Sequence, residues 1–226
     1  KWMFHYRWHY QPDAWATAER IALQAAGAEG ALAVAQTRAA IAERMMGRLG
    51  FVGSNDKTQP VIEASFKKAL ALFDAHLAGR PYVLGARPAM ADFGLWGQFY
   101  EAATDPTPGA LMRASAPNVM AWVKRMLMPK VEGPFEALTA LAPTLRPILK
   151  EEVAGLFLPW SQANAQAIGR GDKSFSMSLA GAAWTQEPQK YHARSLAEIR
   201  RKYAAAKGAP GLEAILAETG CQAGLA

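Results

Sequence analysis

The fold class predicted by this sequence is an all-α helical bundle carrying one small β-hairpin, and three observations lead to it. Alanine is frequent and β-branched residues are few, a composition that favours helix over strand. Apolar residues recur at helical spacing over much of the chain, most clearly at Val61, Phe66, Leu70, Phe73 and Leu77. One stretch, KSFSMSLAGAAWTQ, reads as a strand pair: Phe175, Met177 and Leu179 alternate, Ala180-Gly181 turns, and Trp184 returns. At 226 residues the chain can bury a sizeable core, and the length admits one or two domains.

The first ten residues, KWMFHYRWHY, hold five aromatic residues and two readings. Trp2, Phe4, Tyr6, Trp8 and Tyr10 alternate with a strand's period of two. In a helix, positions 2, 6 and 10 fall within about 80° of one another while 4 and 8 lie opposite, so both sides would be covered. Pro12-Asp13 then opens a helix through AWATAERIALQAA, stopped at Gly27 or Gly30. A second helix runs from about Ala31 to Leu49 and ends in glycines at 47, 50 and 53. GSNDKTQP is a loop by composition, and PVIEASFKKALALFDAHLAG is an amphipathic helix closed by Gly79.

A turn-rich connector leads to a helix from near Met90 to about Ala103, and TDPTPG breaks it. APNVMAWVKRMLMP gives a short helix with Val119, Trp122, Val123 and Met126 on one side. Beyond Pro129, the prolines at 134, 143, 147 and 159 divide the chain into pieces, with helices at about Thr144–Leu158 and Gln162–Ile168. After the hairpin come helices at about Gln189–Lys207 and Pro210–Thr219, the second ended by Gly220.

Several function classes are disfavoured. The longest apolar runs, such as AGLFLPW, are too short to span a bilayer. No charged-then-apolar leader with a small-residue cleavage site appears, so no membrane partner is expected and a cytoplasmic location is the default. A lone Cys221 excludes an internal disulfide and a cysteine-built zinc site; it has no neighbouring histidine to make a thiolate and reads as a surface thiol. The net charge of +6 is spread thinly. Its densest patch, RRKY at 200–203, lies on a helix whose apolar stripe is Tyr191, Leu196, Ile199 and Tyr203, so a solvated face is expected rather than a nucleic-acid site. His5 and His9 have the one-turn spacing of zinc ligands. They lack a third ligand: Asp13 and Glu19 are near in sequence, but no HExxH arrangement exists, and no metal is expected.

Residues 73–103 carry a resemblance. FDAHLAGRPYVLGARPAMADFGLWGQFY has a helix ending in Leu-x-Gly, a Tyr-x-Leu-Gly turn, then Pro-x-x-Ala-Asp opening the next helix. This pattern resembles the carboxyl-terminal helical domain of the glutathione S-transferase family. Asp92 lies three residues after Ala89, where its carboxylate can reach back to the free N–H groups at the helix start. The family usually has Ser or Thr in place of Ala89, so half of the reciprocal cap is missing. APNVMAWVKRM also looks like the family's next helix, with Trp122 inward.

The resemblance is good over about residues 60–128 and extends to 1–140. Residues 141–226 look like an extension, helices plus hairpin, found in some bacterial members and packed on the domain. The opening stretch is then the family's first helix, which favours its helical reading. The marks of the family's amino-terminal thioredoxin-like domain, which holds glutathione, are missing from this sequence. The resemblance therefore implies no catalytic residue and no cofactor in this chain, with glutathione entering as cosubstrate on a thioredoxin-like domain.

It also implies a homodimer and a cleft for a small hydrophobic electrophile, with His5, Arg7 and Trp8 as its walls. Without the thioredoxin-like domain, one aromatic side of the first helix is expected to be bare. The alternative is a non-catalytic helical module that uses the same fold to dock proteins.

Overall fold

The computed structural model describes residues 1–225, and its named elements are helices except for one hairpin. The bundle is built around α4 (Gln59–Leu77), whose Ile62, Phe66, Ala69, Leu70, Phe73 and Leu77 are all buried. Around it pack α1 (Trp2–His9), α5 (Met90–Thr104), α6 (Pro106–Ser115) and α7 (Pro117–Arg125). Their shared core is aromatic: Phe99 meets Phe73 edge-on at 5.8 Å and Trp122 at 6.2 Å, and it stacks on Trp2 at 5.9 Å. Such pairs add about 1 kcal/mol each beyond the area they bury.

The opening stretch is a helix, and the strand alternation is overridden by packing on both sides. Tyr6 faces the core of α4, 5.0 Å from the Phe66 ring, and Trp8 faces the other way. The expected bare side does not exist. Trp8 is 3% exposed, covered by Ala14 and Ala18 of α2 (Gln11–Ala26) and by Ala42 of α3 (Ala31–Met46). Alanines at these positions let two backbones close over one indole, so α1 completes a core within this chain.

The proline-rich TDPTPG ends α5, as expected, but it also starts a helix that the sequence reading missed. Pro106 and Pro108 occupy the first turn of α6, where a missing N–H removes nothing the helix would have used. A second correction concerns the tail. The prolines there do not divide the chain into pieces: α8 (Leu138–Ile148), a π-helical segment (Leu149–Phe157) and α9 (Leu158–Arg170) form one continuous run. The widened register lies between Pro147 and Pro159, two residues whose missing N–H groups break the ordinary ladder.

The hairpin forms as read, with β1 (Phe175–Leu179) antiparallel to β2 (Ala182–Gln186) and Met177 opposite Trp184. Ala180 and Gly181 both have positive φ, 48° and 80°, as a two-residue hairpin turn requires. Behind it run α10 (Lys190–Ala206), α11 (Leu212–Glu218) and α12 (Gln222–Leu225). Leu196 and Tyr203 of α10 are buried as the stripe predicts, while Tyr191 in its first turn is 77% exposed. Cys221 is not a surface thiol. It is fully buried and its Sγ donates to the Leu149 carbonyl at 3.4 Å, because the turn at Gly220 folds it under the π-helical segment.

Two buried polar side chains fasten these parts together. Asp92 accepts from the Ala89 N–H at 2.8 Å, the Val83 N–H at 2.9 Å and the Trp122 indole at 3.0 Å. Ala89 offers no side-chain oxygen in return, so the cap is one-sided. His76 on α4 has Nε2 against the Val83 carbonyl at 2.8 Å and Nδ1 against the Thr144 hydroxyl at 2.8 Å. A carbonyl only accepts, so the proton sits on Nε2 and Nδ1 is the acceptor.

Two outcomes follow. Asp92→Ala strands three donors, two of them backbone, and should cost about 3–5 kcal/mol by urea denaturation, well above an ordinary capping loss; a midpoint equal to the parent's would refute this account. Burial holds the His76 pKa below its usual 6.5. Its neutral form therefore stabilises the fold above that pH, and the contribution is lost on acidification. The urea midpoint should fall between pH 7 and pH 5, and His76→Gln should flatten that dependence.

Candidate functional site

Helix α1 carries all three residues assigned to a substrate wall, and a helix sends positions 5, 7 and 8 in different directions. His5 is fully buried. Its Nδ1 lies 2.8 Å from the Ser54 hydroxyl and its Nε2 lies 3.4 Å from Glu63 Oε1 on α4. Glu63 Oε1 also accepts from the Tyr10 hydroxyl, and from Gln59 at 2.9 Å. Burial lowers the His5 pKa, while its hydrogen bond to Glu63 works in the opposite direction. Burial raises the Glu63 pKa, but the donors from Tyr10, Gln59 and His5 outweigh it and the carboxylate is held below its ordinary value. The result is a neutral imidazole between a hydroxyl and an ionised carboxylate.

Serine, histidine and carboxylate in a row resemble a nucleophilic relay. Ser54 is 4% exposed, however, and His5 closes over it, so a substrate has no path to the hydroxyl in this conformation. The row joins α1, the 49–58 loop and α4. His9 stacks on the His5 ring at 4.8 Å from outside. Among the described residues no group of three His, Cys, Asp or Glu side chains could hold a metal ion.

Arg7 points to the start of α6. Its Nε donates to Asp105 at 2.7 Å, and its other nitrogens bind the Glu101 carboxylate at 2.7 Å and the Glu101 carbonyl at 3.1 Å. Asp105 also accepts from Thr17 at 3.0 Å and Arg20 at 3.2 Å. Beside it, Asp13 of α2 accepts from the Thr107 N–H at 2.8 Å and from the Thr107 hydroxyl. Both aspartates are buried; the sequence reading used Asp13 only as a helix start and gave Asp105 no part. The available signal was Asp105 immediately before Pro106, an acidic residue at the head of a helix. Trp8 lies in the α2–α3 core described above, so the structure brings His5, Arg7 and Trp8 onto one helix without gathering them around one cavity.

An open apolar strip lies on α5 instead. Leu95, Phe99 and Ala102 face the core, yet the outer side is also apolar: Met90 is 78% exposed, Phe93 is 51% exposed, and Gly94 and Gly97 have nothing within 4 Å of a Cβ position. Trp96 and Tyr100 stack at 4.6 Å along its edge, with the Trp96 indole held by the Val123 carbonyl at 3.0 Å. A helix apolar all round is ordinarily buried all round. A shallow hollow of about 350 Å³ opens elsewhere, between the end of α4 and α7, but its Arg80 and Arg125 are already paired with Glu136 and Glu132.

Residues 18–125 match the family model described as glutathione S-transferase, C-terminal domain. The match begins within α2 and ends with α7, so that part of the chain is similar to the helical domain of this family. Searches of curated protein sequences and of solved structures return no match. No helix among the described residues is long and apolar enough to cross a membrane.

The Arg7–Asp105 pair gives a thermodynamic test. Asp105→Ala leaves a guanidinium that is 11% exposed with only Glu101 for charge, and should cost about 3 kcal/mol. Combining Arg7→Met with Asp105→Leu should cost much less than the sum of the single changes, read from denaturation midpoints. Additive losses would mean that the two side chains do not act as a pair.

Proposed function

We propose that this chain is the helical, substrate-side part of a glutathione transferase-like protein. In this reading a thioredoxin-like partner domain presents glutathione, and the outer face of α5 forms the apolar side of the cleft between them. The observation that carries it is the α5 face: Met90, Phe93, Gly94 and Gly97 form an uncovered apolar strip in a part of the chain that matches the family. Glutathione is the cosubstrate, and a small hydrophobic electrophile lies against Phe93 and the Trp96–Tyr100 stack. Aromatic faces there supply contact area at low entropic cost.

The chemistry is attack of the glutathione thiolate on the electrophile, with the leaving group departing from the attacked carbon. Activation of the thiol belongs to the partner domain. This chain holds the electrophile in position and excludes water. Within this arrangement His5, Arg7 and Trp8 act from behind the wall: their networks fix α1 against α4, α5 and α2, and thereby the tilt of α5. Dimerisation through this helical domain and a cytoplasmic location belong to the same proposal, as does the reading of the tail as an extension of bacterial type.

The test uses the chain alone with 1-chloro-2,4-dinitrobenzene as the probe. The probe should quench tryptophan fluorescence saturably, and Phe93→Glu should weaken its binding by about tenfold or more with helical content unchanged. Glutathione alone should not bind, and conjugate should form no faster than in buffer without the protein. Quenching indifferent to Phe93→Glu would remove the α5 cleft. Turnover by the chain alone would overturn the division of labour and place thiol activation here. A non-catalytic docking module would show neither probe binding nor turnover.

A further inference from the structure

A second site lies away from α5, where the hairpin, α9 and the 49–54 loop meet in front of α1. Two indoles are buried there, Trp160 at 4% exposure and Trp184 at 1%. Between them sits the ammonium of Lys1, 4.0 Å from the Trp160 ring centroid and 4.8 Å from that of Trp184. The same nitrogen donates to the Val52 carbonyl at 2.9 Å and to Gln186 Oε1 at 2.9 Å. Among the described residues no acidic side chain pairs with it, and burial pushes its pKa down to about 7.

Each part of this enclosure is fixed by a contact of its own. Gln186 is buried, and its Oε1 also accepts from the Trp160 indole at 3.2 Å and the Trp184 indole at 3.1 Å. Its Nε2 donates to the Phe51 carbonyl at 2.6 Å, so the amide cannot turn its oxygen away from the ammonium. His192 meets Trp160 edge-on at 5.1 Å from behind. Gly53, with φ +75°, has no room for a side chain: a Cβ would fall against the Trp184 ring and lie 2.8 Å from Gln186 Oε1. Two aromatic faces and two carbonyl oxygens gathered around one nitrogen are the chemistry that recognises an alkylammonium.

We propose that Trp160, Trp184, Gln186 and the Val52 carbonyl form a binding site for a primary alkylammonium group, and that the Lys1 side chain is its resident ligand. Lys1 is exposed as a residue while its ammonium end is enclosed, so the aliphatic stem fills a passage open to solvent. Two carbonyl acceptors between ring faces make the site selective for a primary amine with a short apolar stem, which donates to both, over an alcohol, which donates to one. Occupancy by Lys1 joins α1 to the hairpin and α9. Its withdrawal would leave a preformed receptor for the free amine of another molecule. This proposal is independent of the α5 cleft.

The experiment compares n-butylammonium chloride with n-butanol as probes, following tryptophan fluorescence. Lys1→Ala should bind n-butylammonium saturably, at least tenfold more tightly than n-butanol, while the parent protein responds to neither at the same concentrations. Lys1→Met, which refills the passage with an apolar stem, should also stay silent. The parent supplies a separate readout that needs no variant. With lysine labelled with carbon-13 at Cε incorporated during expression, the Lys1 side-chain resonance should be shifted upfield by the two indole rings, and Gly53→Ala should return it to the position of the other lysines. Absence of the shifted resonance in the folded parent would overturn the proposal. So would equal binding of amine and alcohol by Lys1→Ala, or saturable binding by the parent.

Discussion

The structure depends on one buried carboxylate. Asp92 is fully buried and receives three donors, from the connector at Val83, from the start of α5 at Ala89, and from Trp122 on α7. With so many N–H partners its oxygens are satisfied where water is excluded, and each donor fixes one element against the others. The helix dipole at the start of α5 acts on the same carboxylate. Because α5 is set by this anchor, Phe99 arrives among Phe73, Trp122 and Trp2, and the outer strip of Met90, Phe93, Gly94 and Gly97 is held open rather than collapsed inward.

A second layer of constraint comes from α1, which is the hinge of the polar architecture although its sequence is aromatic. It sends a neutral histidine to Ser54 and Glu63, an arginine to Asp105 and Glu101, and an indole into the alanines of α2 and α3. Each of the three would be costly alone: a buried imidazole, a nearly enclosed guanidinium and a large ring needing close backbones. Their partners are all within this chain, so α1 is finished without help from another domain. An uncovered apolar strip lies on α5 instead.

The tail is attached by contacts of mixed kind. Ile62 of α4 packs with Trp160, Phe175 and Trp184, the His76 imidazole bridges to Thr144, and the Lys1 ammonium lies between two indoles. The hairpin could not approach so closely without Gly53, whose positive φ and missing Cβ leave room for Trp184. A π-helical segment between Pro147 and Pro159 lets a single helical run pass three prolines and still bring Trp160 to this contact. The attachment therefore combines apolar burial with two polar groups whose partners lie far away in sequence.

What the sequence determined by itself was local and periodic. The 3.6-residue pattern of α4, the alternation around Ala180-Gly181, the glycine stops and the Pro-x-x-Ala-Asp opening of α5 all act within a few residues, where spacing and capping chemistry decide the outcome. The same local logic misjudged α6 and the proline-bearing run after Leu138, because proline's cost depends on whether its missing N–H had a use, which is a property of position in the finished helix. Only the tertiary structure decided which polar side chains were partnered. Asp105 meets Arg7 across 98 residues, and Gln186 meets Lys1 across 185. It also decided that Cys221 is covered and that α5, rather than α1, keeps a bare face. Those outcomes rest on long-range packing, and a linear pattern records only the types of residue that packing will use.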